Sequence, residues 1–442
     1  MFPYIPHTPE DISRMLERAG VASLDDLYSD VPEEFVHKGR LALPEAKSEQ
    51  EVLGFFEALG RMNARLTVFA GAGAYDHYTP AVIPYITQRS EFLTAYTPYQ
   101  CEISQGTLRY IFEYQSMICA LTGLDVSNAS LYDGPTAAAE AMMMAVASVR
   151  KKDRVLVSET LLPYVLEVVK TYARFHGVKL GTIASEGGQT SAEALAKELA
   201  PGDVAGVILP QVNRYGIVED HEGFADAVHG AGALLVEYCD PSALAVLRTP
   251  ASWGADIAVG EGQSLGIPLC CGGPYLGFMA VRKDYMRKMP GRIVGETVDR
   301  DGKRSYVLTL QAREQHIKRE KATSNICSNE SLMALWATVY LSLMGPEGLR
   351  EVNRLSSDGA HYLHDRLLGT GRFEEAFPGR PFLKEFVLRS KEEPGKLRKR
   401  LAEAGFLAAL DAGDGLVSFC VTEKRSVAEC DALVKAVEEG AL

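Results

Sequence analysis

Short apolar runs and longer stretches with helical spacing alternate through the middle of the chain. The runs typical of buried strands are 154–158, 204–210, 233–238, 256–260 and 277–281. The intervening stretches typical of helices are 162–176, 191–199 and 222–229. Strands joined by helical crossovers form a parallel or mixed sheet that helices cover on both faces. The pattern therefore predicts a large α/β domain that binds ligands beyond the carboxyl ends of its strands.

Two further helices are predicted ahead of this domain. Thr8 with Asp11, and Ser48 with Glu51, form capping boxes. Each box is followed by apolar residues at helical spacing, which we expect to form a buried stripe. We interpret residues 1–60 as a helical arm that packs on the body of the protein or on a partner chain.

The last third of the chain changes to smaller elements. A long apolar helix is predicted over 330–343 and ends at Gly345-Pro346. Beyond it, strands at 382–388 and 415–421 alternate with helices at 396–403 and 427–438. This pattern predicts a small α+β domain, so the predicted boundaries are an arm at 1–60, a large domain at 61–328, and a linking helix with a small domain at 329–442.

A segment rich in hydrogen-bonding side chains precedes the α/β pattern. It contains Tyr96, Thr97, Tyr99, Gln100, Glu102, Ser104 and Gln105. Pro98 keeps Thr97 extended, and Ser104 is the predicted N-cap of a helix that ends at Gly123. A second helix is predicted from about Thr136, so two helix N-termini with free N–H groups are expected near one another.

Composition narrows the functional classes. The chain is 47% apolar and 24% charged, as in an ordinary globular protein, and no apolar run is long enough to cross a bilayer. The net charge of −12 argues against a nucleic-acid partner. Eight cysteines without a CxxC pair, and no signal-peptide pattern, predict a cytoplasmic protein with free thiols. Adjacent Cys270 and Cys271 lack zinc-site spacing, so no metal site is predicted.

The charge is unevenly distributed. Residues 282–321 hold twelve Lys or Arg against six Asp or Glu, a balance of +6, which leaves −18 for the remainder. Such a basic segment is either a solvated face or a patch that docks an acidic surface.

Several of these segments together resemble one protein family, the glycine cleavage system P-protein, a pyridoxal-phosphate glycine decarboxylase. The matching segments are 96–106, 121–124, 136–142, 272–278, 290–295, 308–317 and 319–327. They span nearly the whole chain. Its length fits only the N-terminal half of the long single-chain form, so the resemblance implies subunit 1, the alpha chain, of the split form.

The resemblance implies a fold-type-I pyridoxal-phosphate transferase fold, with a large sheet domain and a small C-terminal domain. It implies that glycine is decarboxylated, that CO₂ is released, and that the aminomethyl group passes to the lipoyl arm of H-protein. Fold-type-I enzymes bind their cofactor through a lysine that follows a strand. The matching stretch 256–268 contains no lysine, and Gln263 and Ser264 stand about where His-Lys is expected. Neither side chain can form a Schiff base.

Two further cofactor contacts are altered. Either Glu237 or Asp240 stands near the position of the aspartate that pairs with the pyridine nitrogen in such enzymes. Asp133 would repel a phosphate at the N-terminus of the following helix. The cofactor is therefore expected on a lysine-bearing partner, P-protein subunit 2, and not covalently on this chain.

Active sites of fold-type-I dimers lie at subunit interfaces, which gives the polar segment a role. The resemblance implies that Tyr96, Thr97, Tyr99, Gln100, Glu102, Ser104 and Gln105 serve a site centred on the partner. The basic residues inside the matching segments are candidates to face the partner or the lipoyl carrier: Arg292, Arg313, His316, Arg319 and Lys321. His77 is interpreted as a surface or hydrogen-bonded loop residue rather than a catalytic one.

Other interpretations stay open at this point. The polar segment is also compatible with a hydrogen-bonded structural loop. The chain is also compatible with a self-sufficient enzyme that uses Lys321, or with a non-enzymatic scaffold or regulator. The sequence does not distinguish a heterodimer from a heterotetramer, or tell which chain docks H-protein.

Overall fold

The computed structural model describes residues 4–270, 272–322, 324–326 and 328–439. Cys271, Thr323 and Cys327, which belong to segments singled out above, lie outside the described residues. The chain divides into two compact units, Met1–Ala64 and Arg65–Leu442.

The first unit contains the two helices predicted from capping boxes, α1 (Pro9–Ala19) and α2 (Glu49–Arg61). The Thr8 and Ser48 side chains accept from the backbone N–H three residues on, as predicted. None of the described residues of either helix is buried, and Phe56 is 62% exposed. The apolar stripes are therefore not buried within this chain, and the prediction that the arm packs on the body of the protein or on a partner chain stays a prediction.

The second unit alternates helices and strands. Its α-helices are α3 (Val82–Thr87), α4 (Ser90–Leu93), α5 (Gln105–Thr122), α6 (Gly134–Ser148), α7 (Pro163–His176), α8 (Ala192–Leu199), α9 (Phe224–Gly230), α10 (Gln315–Lys318), α11 (Ser331–Gly369), α12 (Pro394–Glu403) and α13 (Val427–Glu438). Its early strands are β1 (Thr67–Val68), β2 (Val126–Ser127), β3 (Arg154–Ser158), β4 (Lys179–Ile183), β5 (Ser185–Glu186), β6 (Gln189–Thr190), β7 (Val204–Pro210), β8 (Leu234–Tyr238), β9 (Ile257–Glu261) and β10 (Gly277–Val281). Its later strands are β11 (Ile293–Val298), β12 (Arg304–Thr309), β13 (Phe373–Glu375), β14 (Glu385–Ser390), β15 (Phe406–Leu407), β16 (Leu410–Gly413) and β17 (Leu416–Cys420).

A mixed sheet organises the large part of this unit. Among the described residues it has seven strands in the order β2-β10-β9-β8-β7-β3-β4, of which β10 runs antiparallel to both its neighbours. Alternate side chains of β9 face opposite ways: Ile257 and Val259 pack with α6 and α7, and Ala258 packs with α5 and α11. Both faces of the sheet are therefore covered, as the near-continuous apolar strands predicted.

The smaller C-terminal part has an antiparallel sheet of its own. The strands pair in the order β13-β14-β17-β16, and Phe386, Leu401, Phe419 and Leu433 form its buried core with α12 and α13. The long helix α11 connects the two parts through a break at Gly345, where φ is 58° and ψ is −174°. The predicted end of the first helical segment at this glycine is thus confirmed, and a second helical segment follows from Pro346. No helix in the part of the chain that the structure describes is long and apolar enough to span a membrane.

Candidate functional site

The carboxyl ends of β8 and β9 form the cleft where a sheet of this kind binds ligands, and buried side chains fill it. Gln263 and Ser264, at the position of the expected lysine, lie in a short turn after β9 and are buried. The Gln263 amide accepts from Tyr75 N at 2.8 Å and donates to the oxygens of Tyr75 at 2.8 Å and Ile267 at 2.6 Å. The Ser264 hydroxyl donates to Asp240. Both side chains therefore hold the surrounding loops together.

A lysine does enter this cleft, from the edge of the C-terminal part. Lys384 is 3% exposed, and its Nζ lies 2.6 Å from Asp240 Oδ2, as an ion pair, and 3.0 Å from His77 Nε2. Burial acts to raise the pKa of Asp240, but the charge of Lys384 outweighs it and holds that pKa below its ordinary value. His77 Nδ1 lies 2.6 Å from Glu423 Oε2, so both ring nitrogens of His77 have neighbours within the chain. Asp240 is thus already neutralised within the chain.

The N-terminus of α6, where a phosphate would sit, is occupied by two carboxylates of the chain itself. Asp133 Oδ1 accepts from Thr136 N at 2.7 Å. Glu261 Oε2 accepts from Gly134 N at 2.9 Å, and its Oε1 accepts from Leu276 N at 2.9 Å. Burial raises the pKa of Glu261 to about 7, against the opposing effect of these N–H donors. An anionic ligand at this helix end would have to displace Glu261.

The space left in the cleft is too small for a cofactor. A cavity of about 20 Å³ remains, lined in part by Tyr75, Tyr238, Asp240 and Glu261, which is enough for roughly one water molecule. The other candidate for a pyridine contact, Glu237, is buried and paired with His221 at 2.8 Å. The residues present therefore do not fit pyridoxal phosphate.

The polar segment that begins at Tyr96 presents aromatic and apolar side chains to solvent. Tyr96 is 79% exposed, Tyr99 47% and Ile103 81%. Gln100 and Glu102 are exposed as well. Exposed apolar side chains grouped in so short a segment are typical of a surface that another molecule covers.

The inner side of the same segment is fixed to the protein. Thr97 Oγ1 lies 3.1 Å from Ser328 Oγ, which ties the segment to the start of α11. The Gln105 amide donates to Tyr306 O at 2.8 Å and accepts from Tyr306 N at 2.9 Å, which ties it to β12. Ser104 precedes α5 as predicted, but its side chain makes no capping hydrogen bond with the described residues. The exposed residues thus stand on a segment that is anchored on both sides.

Tyr99 of the polar segment contacts the predicted basic candidates Arg292 and His316. Arg292 is 1% exposed, and its Nη2 donates to the Tyr99 hydroxyl at 3.1 Å. Glu314 lies 3.7 Å from Arg292 Nε and 3.6 Å from His316 Nδ1. Within the described residues, Nε and Nη1 of Arg292 and Oε1 of Glu314 have no hydrogen-bond partner. A buried arginine thus stands behind an exposed tyrosine with part of its hydrogen-bonding capacity unused.

The remaining basic candidates divide into two groups. The Arg313 guanidinium donates to the carbonyls of Met289 and Gly291, at 2.6 Å for the second, and burial lowers its pKa. The half-buried Arg313 guanidinium therefore holds these two carbonyls together, and Arg292 is buried beneath Tyr99. Arg319 and Lys321 are exposed.

The described residues contain no group of three His, Cys, Asp or Glu side chains arranged to hold a metal ion. Cys270 is an exposed free thiol. Neither feature adds a ligand set to the site.

Sequence reasoning did not assign Glu261, Lys384 or Glu314 to any site. A signal existed for Lys384, since a lysine followed by Glu385 inside a predicted buried strand requires partners. Glu261 directly follows an apolar strand, but nothing in the sequence indicates that its carboxylate turns back to the N-terminus of α6.

Comparisons with known proteins agree on one family and one fold. The model of the glycine cleavage system P-protein family matches residues 3–437. "Probable glycine dehydrogenase (decarboxylating) subunit 1" of Moorella thermoacetica is 51% identical over 441 residues, covering 98% of each chain. A crystal structure of glycine decarboxylase (P-protein) of the glycine cleavage system, in inhibitor-bound form, matches with a TM-score of 0.92 and 44% identity over 99% of each chain. Alanine–glyoxylate aminotransferase from Nostoc sp. shares the fold alone, with a TM-score of 0.61 and 17% identity over 85% of this chain and 95% of that one. The predicted fold-type-I architecture and the family resemblance are confirmed.

Proposed function

The chain belongs to the glycine cleavage system P-protein family, and from that premise we propose that it is the cofactor-free subunit of a two-chain glycine decarboxylase. Its partner, subunit 2, carries the lysine that binds pyridoxal phosphate. The assembly takes glycine, releases CO₂ and passes the aminomethyl group to the lipoyl arm of H-protein. The chain by itself is inactive.

The filled cleft supports this division of labour. Asp240 is neutralised by Lys384, the N-terminus of α6 is capped by Glu261, and Gln263 and Ser264 replace the lysine. Lys321, the alternative cofactor lysine, lies exposed in the turn Arg319–Lys321, where it lacks the desolvation that makes a lysine amine nucleophilic. A self-sufficient enzyme therefore has no support in this geometry.

The contribution of this chain is a wall of the partner's active site. Bound pyridoxal phosphate supplies an electron sink for loss of CO₂. Tyr96, Tyr99, Gln100 and Glu102 cover the substrate side of that site, exclude water and direct hydrogen bonds at the reacting groups. Thr97, Ser104 and Gln105 lie behind this exposed row and fix it in place.

The observation that carries the proposal is the pairing of exposed Tyr99 with buried Arg292. The guanidinium holds the tyrosine hydroxyl at 3.1 Å and its cation lies 5.0 Å from the ring centroid. A tyrosine on a solvated loop needs no such support. A tyrosine that must keep one orientation towards a partner's substrate does, because catalytic positioning tolerates little displacement.

Three exposed basic residues of this chain, His316, Arg319 and Lys321, are assigned to the surface that H-protein contacts. His316 lies next to Tyr99, with the ring centroids 6.3 Å apart, and Arg319 and Lys321 follow on the same surface segment. A local balance of +6 in a chain of net charge −12 favours an acidic carrier surface at this place. The lipoyl arm of H-protein then enters beside Tyr99.

The test uses Tyr96→Phe, Tyr99→Phe and Glu102→Gln, each assembled with unmodified subunit 2. Glycine–CO₂ exchange is expected to fall about tenfold, or about 1.4 kcal/mol of transition-state stabilisation, while the cofactor absorbance persists. Tyr215→Phe is the matched control, since this half-buried tyrosine packs on Phe377 in another part of the chain. Full exchange activity in all three variants would show that the segment is only structural and that the chain is a scaffold for its partner.

A further inference from the structure

A buried carboxylate outside the cleft, that of Glu140, lines a cavity between α6 and α7. Glu140 is on α6, between alanines and methionines that pack in the core, and is 3% exposed. A carboxylate in such surroundings is costly unless a partner compensates for its lost hydration. The described residues supply the hydroxyl of Ser324 as its hydrogen-bond donor, and none of their Lys, Arg or His nitrogens forms an ion pair with it. Burial raises the pKa of Glu140 to about 7.

The cavity over Glu140 has a volume of about 440 Å³, within the range of small-molecule sites. Met143 of α6 continues the floor, and Tyr172 and Phe175 of α7 form one wall. Residues of a later segment form the roof: Gln315, Arg319, Glu320, Ala322, Ser324 and Asn325. Ser324 of this group donates to the Glu140 carboxylate. The cavity therefore combines one buried acid with aromatic side chains and an opening to solvent.

The chemistry of this lining selects for one class of group. A carboxylate in a partly desolvated site prefers a charged donor, and aromatic faces add a favourable contact with a cation. Glu320 on the roof adds a second negative charge, and an anionic ligand would face both acids. Two basic side chains also line the cavity, Arg319 on the roof and His176 on the wall formed by α7. Both are exposed to solvent, and neither forms an ion pair with Glu140.

We propose that the cavity over Glu140 binds a primary ammonium group, with the Glu140 carboxylate as its counter-ion. The group belongs either to a free small amine or to a lysine side chain of a docked protein, because the recognition chemistry is the same for both. The site uses none of the residues assigned to the wall of the partner's active site, whereas Arg319, which lines the cavity, is assigned to the H-protein surface. The comparison with subunit 2 below rests on the proposed function, and the binding measurements on the single chain do not.

The probe is n-butylammonium, which has the length of a lysine side chain, and 1-butanol is its neutral counterpart. Binding to the purified full chain is measured by titration calorimetry at constant ionic strength. Butylammonium is expected to bind at least tenfold more tightly than 1-butanol. Glu140→Gln, which keeps the shape and the Ser324 hydrogen bond, should weaken butylammonium binding at least tenfold. Glu320→Gln, an acid-to-amide change on the roof, should alter it less than about threefold.

A second arm distinguishes the two sources of the amine. If a partner's lysine occupies the cavity, assembly with subunit 2 excludes butylammonium and Glu140→Gln weakens assembly. If the ligand is a free amine, the assembled protein binds butylammonium as the single chain does. Equal affinity of the parent and Glu140→Gln for butylammonium would overturn the proposal. A crystal structure with the Arg319 guanidinium seated on Glu140 would also overturn it.

Discussion

Among the residues that the structure describes, Lys384 is the one lysine or arginine in the cleft at the ends of β8 and β9. Replacing Lys384 with methionine removes this charge and keeps most of the side-chain volume. Asp240 then retains two donors, the Ser264 hydroxyl and the Ser242 N–H, and both donate to Oδ1, so its buried Oδ2 loses its ion-pair partner. His77 loses the neighbour that lies 3.0 Å from its Nε2. The substitution therefore tests whether the internal ion pair holds the place that a cofactor has in related folds.

The expected cost follows from the burial of the pair. The side chains of Lys384 and Asp240 are 4% and 11% exposed, and breaking such a pair by removing one partner costs about 3–5 kcal/mol. Lys384 holds the pKa of Asp240 below its ordinary value of 3.8, so the stability that the pair contributes is present above that pH and is lost as the pH falls. The difference in the free energy of unfolding between the parent and Lys384→Met should therefore be largest near neutral pH and should become smaller below about pH 4.

The assay is equilibrium urea unfolding followed through the fluorescence of Trp253 and Trp336. Lys170→Met is the matched control, because Lys170 pairs with Glu167 at 2.8 Å on the surface with both side chains at least half exposed. The control should change the free energy of unfolding by less than about 1 kcal/mol. A decrease in the free energy of unfolding of less than about 1 kcal/mol for Lys384→Met, or a decrease that does not vary with pH, would contradict this expectation.

Three further outcomes are expected. Glu261→Gln should lower the free energy of unfolding by about 1–3 kcal/mol, because the NH₂ of the new amide must face a backbone N–H that now donates to the carboxylate. Glu222→Gln is the control and should have little effect, because the Glu222 side chain is exposed. Burial raises the pKa of Glu385 from its ordinary value of 4.5 to about 7. The free energy of unfolding should therefore fall by up to about 3 kcal/mol as the pH rises through that interval. Urea titrations of Glu385→Gln over the same pH range should show a correspondingly smaller fall. Charge reversal at Arg319 and Lys321 should slow association with H-protein in stopped-flow measurements, more at low salt than at high salt, and salt-independent rates equal to those of the parent would contradict that role.

Five strands of the seven-stranded sheet were predictable because most of their residues are apolar and buried, whereas the short β2 and the partly exposed edge strand β4 were missed. The runs 154–158, 204–210 and 277–281 coincide with β3, β7 and β10, since burial on both faces leaves a continuous apolar signal that ends at polar residues. The hairpin of β11 and β12 was missed, because it lies inside the segment of mixed charge that was interpreted only by its net balance. The helix end predicted at Gly345 is confirmed, because the backbone leaves the helical region at this glycine and a second helical segment begins at Pro346.

The site was only partly predictable for a different reason. The absence of a lysine between Gly260 and Pro268 is visible in the sequence, but the residues that fill the cleft come from distant positions, such as Lys384. The burial of Arg292 beneath Tyr99 joins residues 193 positions apart, and no local pattern indicates such a contact. The spacing of apolar residues predicts which face of a helix or strand is buried. It does not predict which buried charged side chains contact one another.

The most direct test of the division between two chains is reductive trapping of the assembled enzyme. The complex of this chain with subunit 2 is treated with borohydride in the presence of pyridoxal phosphate, and both chains are mapped by peptide mass spectrometry. We expect one phosphopyridoxyl-lysine per pair of chains, located in subunit 2, and no stoichiometric label on this chain. A stoichiometric label on a lysine of this chain, whether Lys321, Lys384 or another, would contradict the account.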